Sequence, residues 1–311
     1  MNESAERWLL ADIGGTNSRV ALYENQTLAA VHKFRNAQFA TIELMLRAAI
    51  VALRATPTAA VIAIAGPTVG DDLRLSNRDW SFNRPALRET LGLKELHVVN
   101  DFEALAYAVP LLGPGDYVQV GGGGVIAGLP CVLIGPGTGL GVASLIHVDG
   151  HDQAIPGEGG HVTLAATNAD EANLIAKLQM RFDHCSAERV LSGDGLEVLH
   201  ATLSGDVASA AEISAAAHDG DSKAVATFMQ FFAFLGTIAG NAALTLGARG
   251  GVYIGGGIVP ANQKLFERSP FRERFVDKGR FRDYLDPIAT RVITADTPAL
   301  TGLAGFVNAQ C

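Results

Sequence analysis

The chain has 311 residues, of which 48% are hydrophobic and 18% charged: long for one domain, short for three, and too apolar to be disordered. A formal net charge of −8 argues against a nucleic-acid partner, which needs a basic face, but not against a nucleotide held by backbone amides and Mg²⁺. The 3 cysteines, Cys131, Cys185 and Cys311, lie far apart without a C-x-x-C, the usage of a reducing cytoplasm and not of a disulfide framework or a zinc site.

The start, Met1-Asn2-Glu3-Ser4-Ala5-Glu6-Arg7, has no basic leader and is expected to run straight into a strand. Residues 8–23 read as strand, glycine turn, strand, with a further strand expected at 29–34. Phe39, Ile42, Leu46, Ile50 and Leu53 fall at helical spacing. Residues 60–65 form a short apolar strand stopped by Gly66-Pro67. A helix at 85–91 then leads to a strand at 97–99 that ends in Asn100-Asp101. Strands alternating with helices predict an α/β lobe.

The pattern then restarts, with strands at 130–134 and 142–147 around a second glycine turn. Sliding the chain onto itself so that Gly15-Thr16 meets Gly137-Thr138 also sets Val20-Ala21 on Val142-Ala143. Such a repeat implies two related lobes with a cleft between them. Helices are expected at 170–182, 208–218 and 222–246, then a strand at 252–254 and a last helix at 298–307 that packs back on the first lobe. Residues 224–248 carry no charge and are long enough to span a membrane. However, Thr227, Gln230, Thr237, Asn241 and Thr245 fall close to one side of a helix, which favours a buried core helix with a polar seam and no membrane partner. The domains expected are a small one, 1–110 completed by 298–311, and a large one, 111–297.

Several motifs carry chemistry. In Asp12-Ile13-Gly14-Gly15-Thr16-Asn17 the glycines expose successive N–H groups that suit a phosphate, and Asp12 offers Mg²⁺ a hard oxygen, directly or through water. A plain hairpin turn explains the same glycines. Gly135-Pro136-Gly137-Thr138-Gly139-Leu140-Gly141 holds more glycine than a tight turn needs, yet matches neither the Walker loop nor G-x-G-x-x-G. Gly255-Gly256-Gly257 lets a flat base lie on backbone, or simply turns the chain. Asp101, at a strand end entering a helix, is placed either to take a proton from an alcohol or to cap that helix. Among the glycines of Pro156-Gly157-Glu158-Gly159-Gly160-His161, Glu158 and His161 suit sugar hydroxyls. Glu188, on an expected helix start, by itself reads as part of a solvated face.

Together and in this order, these segments resemble the bacterial glucokinase family of the actin-like sugar-kinase superfamily. The resemblance extends through Ala65-Gly66-Pro67, Ser186-Ala187-Glu188-Arg189-Val190-Leu191-Ser192-Gly193 and Gly255-Gly256-Gly257-Ile258-Val259-Pro260. It implies a two-lobed actin-like (ribonuclease H-like) ATPase fold, with a cleft between a small and a large α/β domain. The implied reaction is phosphorylation of the glucose 6-hydroxyl by ATP with Mg²⁺, Asp101 being the base and Asn100, Asp101, Glu158, His161 and Glu188 holding the sugar. It further implies phosphate loops at Ala11, Asp12, Ile13, Gly14, Gly15 and Thr16 and at Gly135, Thr138 and Gly139. Gly255, Gly256 and Gly257 match the adenosine loop, and a homodimer is the implied assembly. The related repressor–kinases carry a cysteine-rich zinc motif just before the glutamate that matches Glu188. Arg181-Phe182-Asp183-His184-Cys185-Ser186-Ala187-Glu188 has one cysteine, so no zinc is expected. No helix-turn-helix precedes Trp8 either. The alternatives are the same fold acting on another hexose or amino sugar or using another phosphoryl donor, a non-catalytic sugar-binding regulator, and a filament-forming ATPase.

Overall fold

A computed structural model describes residues 6–310; residues 1–5 of the expected leaderless start, and Cys311, lie outside the described residues. In chain order the first elements are β1 (Trp8–Ile13), β2 (Asn17–Glu24), β3 (Thr27–Leu28), β4 (His32–Arg35), α1 (Ile42–Leu53), β5 (Ala59–Ile64), β6 (Asp72–Arg74) and β7 (Ser81–Asn83). Then come α2 (Arg84–Thr90), β8 (Glu95–Asn100), α3 (Asp101–Ala108), β9 (Tyr117–Gly121), β10 (Cys131–Pro136), β11 (Leu140–Val148) and β12 (His151–Gly157). They are followed by α4 (Ala169–Gln179), α5 (Gly193–Ser204), α6 (Ala210–His218), α7 (Ser222–Leu246) and β13 (Val252–Ile254). The short helices α8 (Ile258–Ala261), α9 (Gln263–Glu267), α10 (Phe271–Val276) and α11 (Arg282–Leu285) lead to β14 (Thr290–Ile293) and α12 (Pro298–Gln310).

The described residues form two compact units, one of residues 6–113, 148–156 and 295–310, the other of residues 114–147 and 157–294. In the first, the sheet runs β3-β2-β1-β5-β8, with β4 also paired to β2. The turn-linked pair β1–β2 is antiparallel, whereas β1, β5 and β8 are parallel. Every residue of β5 is buried, as a central parallel strand covered on both faces requires. One face packs on Ile42, Met45 and Leu46 of α1, which begins where the Thr41 hydroxyl caps Leu44 N–H. The C-terminal helix α12 lies against α3 and against β1 and β5. Its Phe306 meets Tyr107 and His97 edge-on, and Tyr23 donates to Asn308.

The second unit repeats the plan. Its sheet contains β11-β10-β13-β14-β9: β10–β11 is an antiparallel turn-linked pair, and β10, β13 and β14 are parallel. β1 with β2 and β5, and β10 with β11 and β13, are thus the same arrangement twice, as the internal repeat predicts. Helix α7 crosses the core, burying Phe228, Phe231, Phe232 and Phe234. Among the described residues it is the one helix long and apolar enough to cross a membrane, and 61% of its most apolar stretch is buried inside the protein. The polar seam explains itself through partners: Thr227 meets His200, Gln230 donates to Glu171, and Thr237 accepts from Arg274. Asn241 and Thr245, at the far end, are exposed.

Some elements differ from expectation. The strand expected at 29–34 starts only at His32, residues 29–31 carrying the chain from the β2–β3 hairpin to β4. Phe39 lies ahead of α1, packing on its core from a preceding 3₁₀ turn. The helix start expected at Glu188 is only a 3₁₀ turn (Ala187–Arg189), and α5 begins at Gly193: two glycines in its first turn weaken the helical signal, and the Ser192 side chain capping Gly195 N–H supplies the start.

Candidate active site

The first unit gathers its candidates at one end of its sheet. Ile13, Ile64 and Asn100 are in register across β1, β5 and β8, so the Gly14–Thr16 turn, Gly66 and Asp101 all follow the C-terminal ends of parallel strands. That end is where open α/β sheets bind ligands. Ala11 and Ile13 bury their side chains in the core and reach the turn through backbone alone. Thr16 is exposed at the tip.

The turn is held from behind by residues that the sequence reading did not single out. Fully buried Asn36 donates through Nδ2 to Gly14 O at 2.7 Å, accepts from Ser18 Oγ at 2.7 Å, and donates its N–H to Thr16 O at 2.9 Å. Arg78 stacks on Trp80 and donates to Asn36 O at 2.7 Å. These residues act on backbone oxygens, which leaves no signature in spacing. Asp12 pairs with Arg19, opposite it in the β1–β2 register, at 3.3 Å. Burial pushes the Asp12 carboxyl above the usual carboxylate range, and Arg19 opposes that shift.

At the β8–α3 junction the cap is Asn100. Its Oδ1 accepts from Phe102 N–H at 2.9 Å and Glu103 N–H at 3.4 Å, while Glu103 reaches back to Asn100 N–H in a capping box. Asn100 Nδ2 donates to Gly66 O at 3.2 Å, which leaves one amide hydrogen for a further acceptor. Asp101 is therefore the first helical residue and not the cap, with Oδ1 accepting from Phe102 N–H at 3.0 Å. Capping does not explain why a carboxylate stands there.

In the second unit the two remaining glycine loops touch. Gly135 and Pro136 still pair with Gly141 and Leu140, so the turn proper is Gly137-Thr138-Gly139, closed by Gly137 N–H on Gly139 O at 2.8 Å. A Cβ on Gly135 would lie 2.5 Å from the carbonyl carbon of Gly255, and Gly256 has φ +74°. Backbone therefore packs on backbone at the ends of β10 and β13, and only glycine fits both places. A groove of about 750 Å³ opens beside these loops' helices, lined by His218 from α6 and by Pro260, Gln263, Lys264 and Arg268. The sequence reading did not anticipate it, because its walls lie more than forty residues apart.

Glu158, His161 and Glu188 form one cluster. His161 Nε2 lies 3.8 Å from Glu158 Oε2, and its Nδ1 lies 4.0 Å from Glu188 Oε1. Glu158 and His161 are well exposed, as groups awaiting a ligand are, whereas Glu188 is two-thirds covered. Glu188 is not a solvated face: it lies in a 3₁₀ turn (Ala187–Arg189), and its Oε2 accepts Leu140 N–H at 2.8 Å. Nearby Cys185 is buried, and burial raises its thiol pKa, which makes it a poor nucleophile.

Known proteins resemble this chain over nearly its whole length. The family model described as Glucokinase matches residues 9–310. The chain is 47% identical to the glucokinase of Aromatoleum aromaticum, over 95% of this chain and 93% of that one. It is 44% identical to the glucokinase of Ralstonia nicotianae, over 96% and 94%. Among solved structures, a glucokinase from an Antarctic psychrotroph superposes with a TM-score of 0.88 at 33% identity, covering 97% of this chain and 99% of that one.

Proposed function

The chain belongs to the glucokinase family and has the actin-like ATPase fold of sugar kinases, and from there we propose how it phosphorylates glucose with ATP. Asp101 takes the proton of the 6-hydroxyl as that oxygen attacks the γ-phosphorus in line, giving glucose 6-phosphate and ADP. Asn100, Glu158, His161 and Glu188 hold the other sugar hydroxyls. The carboxylates accept from them, and the Asn100 amide hydrogen left over from capping donates. The Asp12–Thr16 and Gly135–Gly139 turns receive the phosphates on backbone N–H groups. Gly255–Gly257 and the groove beyond it take the adenosine. The observation that carries the reading is Asp101 itself, a carboxylate at the ligand-binding end of β8 whose helix is already capped by its neighbour.

The donor set suits Mg²⁺ delivered with the nucleotide. Among the described residues no group of three or more His, Cys, Asp or Glu side chains is arranged to hold a metal ion by itself. A Mg²⁺ beside Asp12 would take most of its ligands from phosphate and water, its usual habit. Asp12 also answers to a cation: its carboxylate is costly to charge where it is buried, and a dication beside it offsets that cost. When bound, the ion neutralises charge on the transferring phosphates. We further propose a cytoplasmic homodimer, 3 scattered cysteines without a C-x-x-C being in keeping with that compartment.

ADP formation from Mg-ATP, measured with glucose, mannose, fructose, N-acetylglucosamine and no sugar, tests the assignment. Turnover is expected with glucose and at background level without sugar. Turnover with N-acetylglucosamine but not glucose would move the specificity. Equal rates with and without sugar would make the protein an ATPase and defeat the reading.

A further inference from the structure

Glu188 has a second attachment that sugar binding does not require. Its Oε2 accepts the N–H of Leu140, the first residue after the Gly137–Gly139 turn, at 2.8 Å. The carboxylate is seated so closely that a Cβ on Gly139 would lie 2.5 Å from Oε2. The same short segment grips the other side of the turn, where Gly193 N–H donates to Gly137 O at 2.9 Å. The Ser192 hydroxyl ties this segment together by donating to Glu188 O at 2.9 Å. Meanwhile Glu188 Oε1 faces His161 at 4.0 Å. One carboxylate therefore has one oxygen on the phosphate turn and the other toward the sugar-binding pair.

We propose that Glu188 is a positioning residue for the Gly137–Gly139 phosphate turn, so that the affinity for the nucleotide's phosphates depends on a side chain that also serves the sugar. This rests on the reading of that turn as a phosphate loop. The N–H groups of a glycine turn bind phosphate only when they point the same way, and a glycine turn without side-chain support has many other conformations. Fixing Leu140 N–H on one side and Gly137 O on the other removes that freedom before the nucleotide arrives.

The test uses two variants and two ligands. Binding of Mg-AMP-PNP is measured by calorimetry without sugar, and KM for glucose is measured at saturating ATP, with melting temperatures recorded for each protein. In Glu188→Ala the backbone bond to Leu140 is lost, and the nucleotide Kd is expected to rise about tenfold or more, the scale of a hydrogen bond to a charged group. In Glu188→Gln the amide oxygen still accepts Leu140 N–H, so the nucleotide Kd should stay within about threefold of wild type, a neutral bond being roughly half as strong. Both variants should raise the KM for glucose. Unchanged nucleotide affinity in Glu188→Ala overturns the proposal, as does an equal loss in both variants at normal melting temperature. A wild-type protein that binds no Mg-AMP-PNP would instead defeat the phosphate-loop reading beneath it.

Discussion

Asp101→Asn is expected to lower kcat by about 10²–10⁴-fold, the usual contribution of a general base, while the KM for glucose moves little. The substitution is well isolated. Asparagine keeps the shape and an oxygen able to accept Phe102 N–H, and the capping box belongs to Asn100 and Glu103, so α3 should start as before. What is lost is the capacity to take a proton from the attacking hydroxyl. Steady-state kinetics with glucose, beside a melting curve, measure this. A kcat near wild type would remove Asp101 from the role of base.

The second large effect concerns stability. Glu171 is 1% exposed and accepts from both Nη atoms of Arg274, at 2.6 and 3.1 Å, from Gln230 at 3.0 Å, and from Thr167 N–H and Oγ at 2.9 and 3.0 Å. These bonds join α4, α7 and α10 in the core of the second unit. Arg274→Met would leave the carboxylate buried without its countercharge, a loss of about 3–5 kcal/mol. Burial would raise the Glu171 pKa, but the Arg274, Gln230 and Thr167 hydrogen bonds outweigh it and hold the group at about 2, against an ordinary 4.5. A lowered folded-state pKa means that this stabilisation is complete above pH 4.5 and disappears as pH falls toward 2. Denaturant unfolding at pH 7 and pH 3 should therefore show a large deficit in Arg274→Met at neutral pH that narrows in acid. A deficit below about 1 kcal/mol at pH 7, the scale of an exposed pair, would show that the pair contributes little.

Much of this was legible in the sequence where the signal is local. The two glycine turns sit between apolar strands, and the repeated strand–turn–strand pattern reappears as β1–β2 with β5 and β10–β11 with β13. The polar seam of α7 was visible as spacing, although only the structure identifies Glu171, His200 and Arg274 as its partners. Asp101 is ambiguous in the sequence between base and cap because both uses favour the same place in the chain; the structure gives the cap to Asn100 and leaves the base to kinetics. Glu188 looked like a solvated face because its partner, Leu140 N–H, is a backbone group 48 residues away. Asn36 and Arg78 escaped for a similar reason, since they act on the carbonyl oxygens of a turn. Features made by long-range contact to backbone leave no periodicity to read.

The most direct test of the central claim is the identity of the product. After full turnover of glucose with Mg-ATP, nuclear magnetic resonance of the sugar product is expected to show phosphorus coupled to the C6 protons, with one ADP formed per sugar phosphate. Phosphate at the anomeric oxygen, or ADP released with the sugar unchanged, would contradict the account.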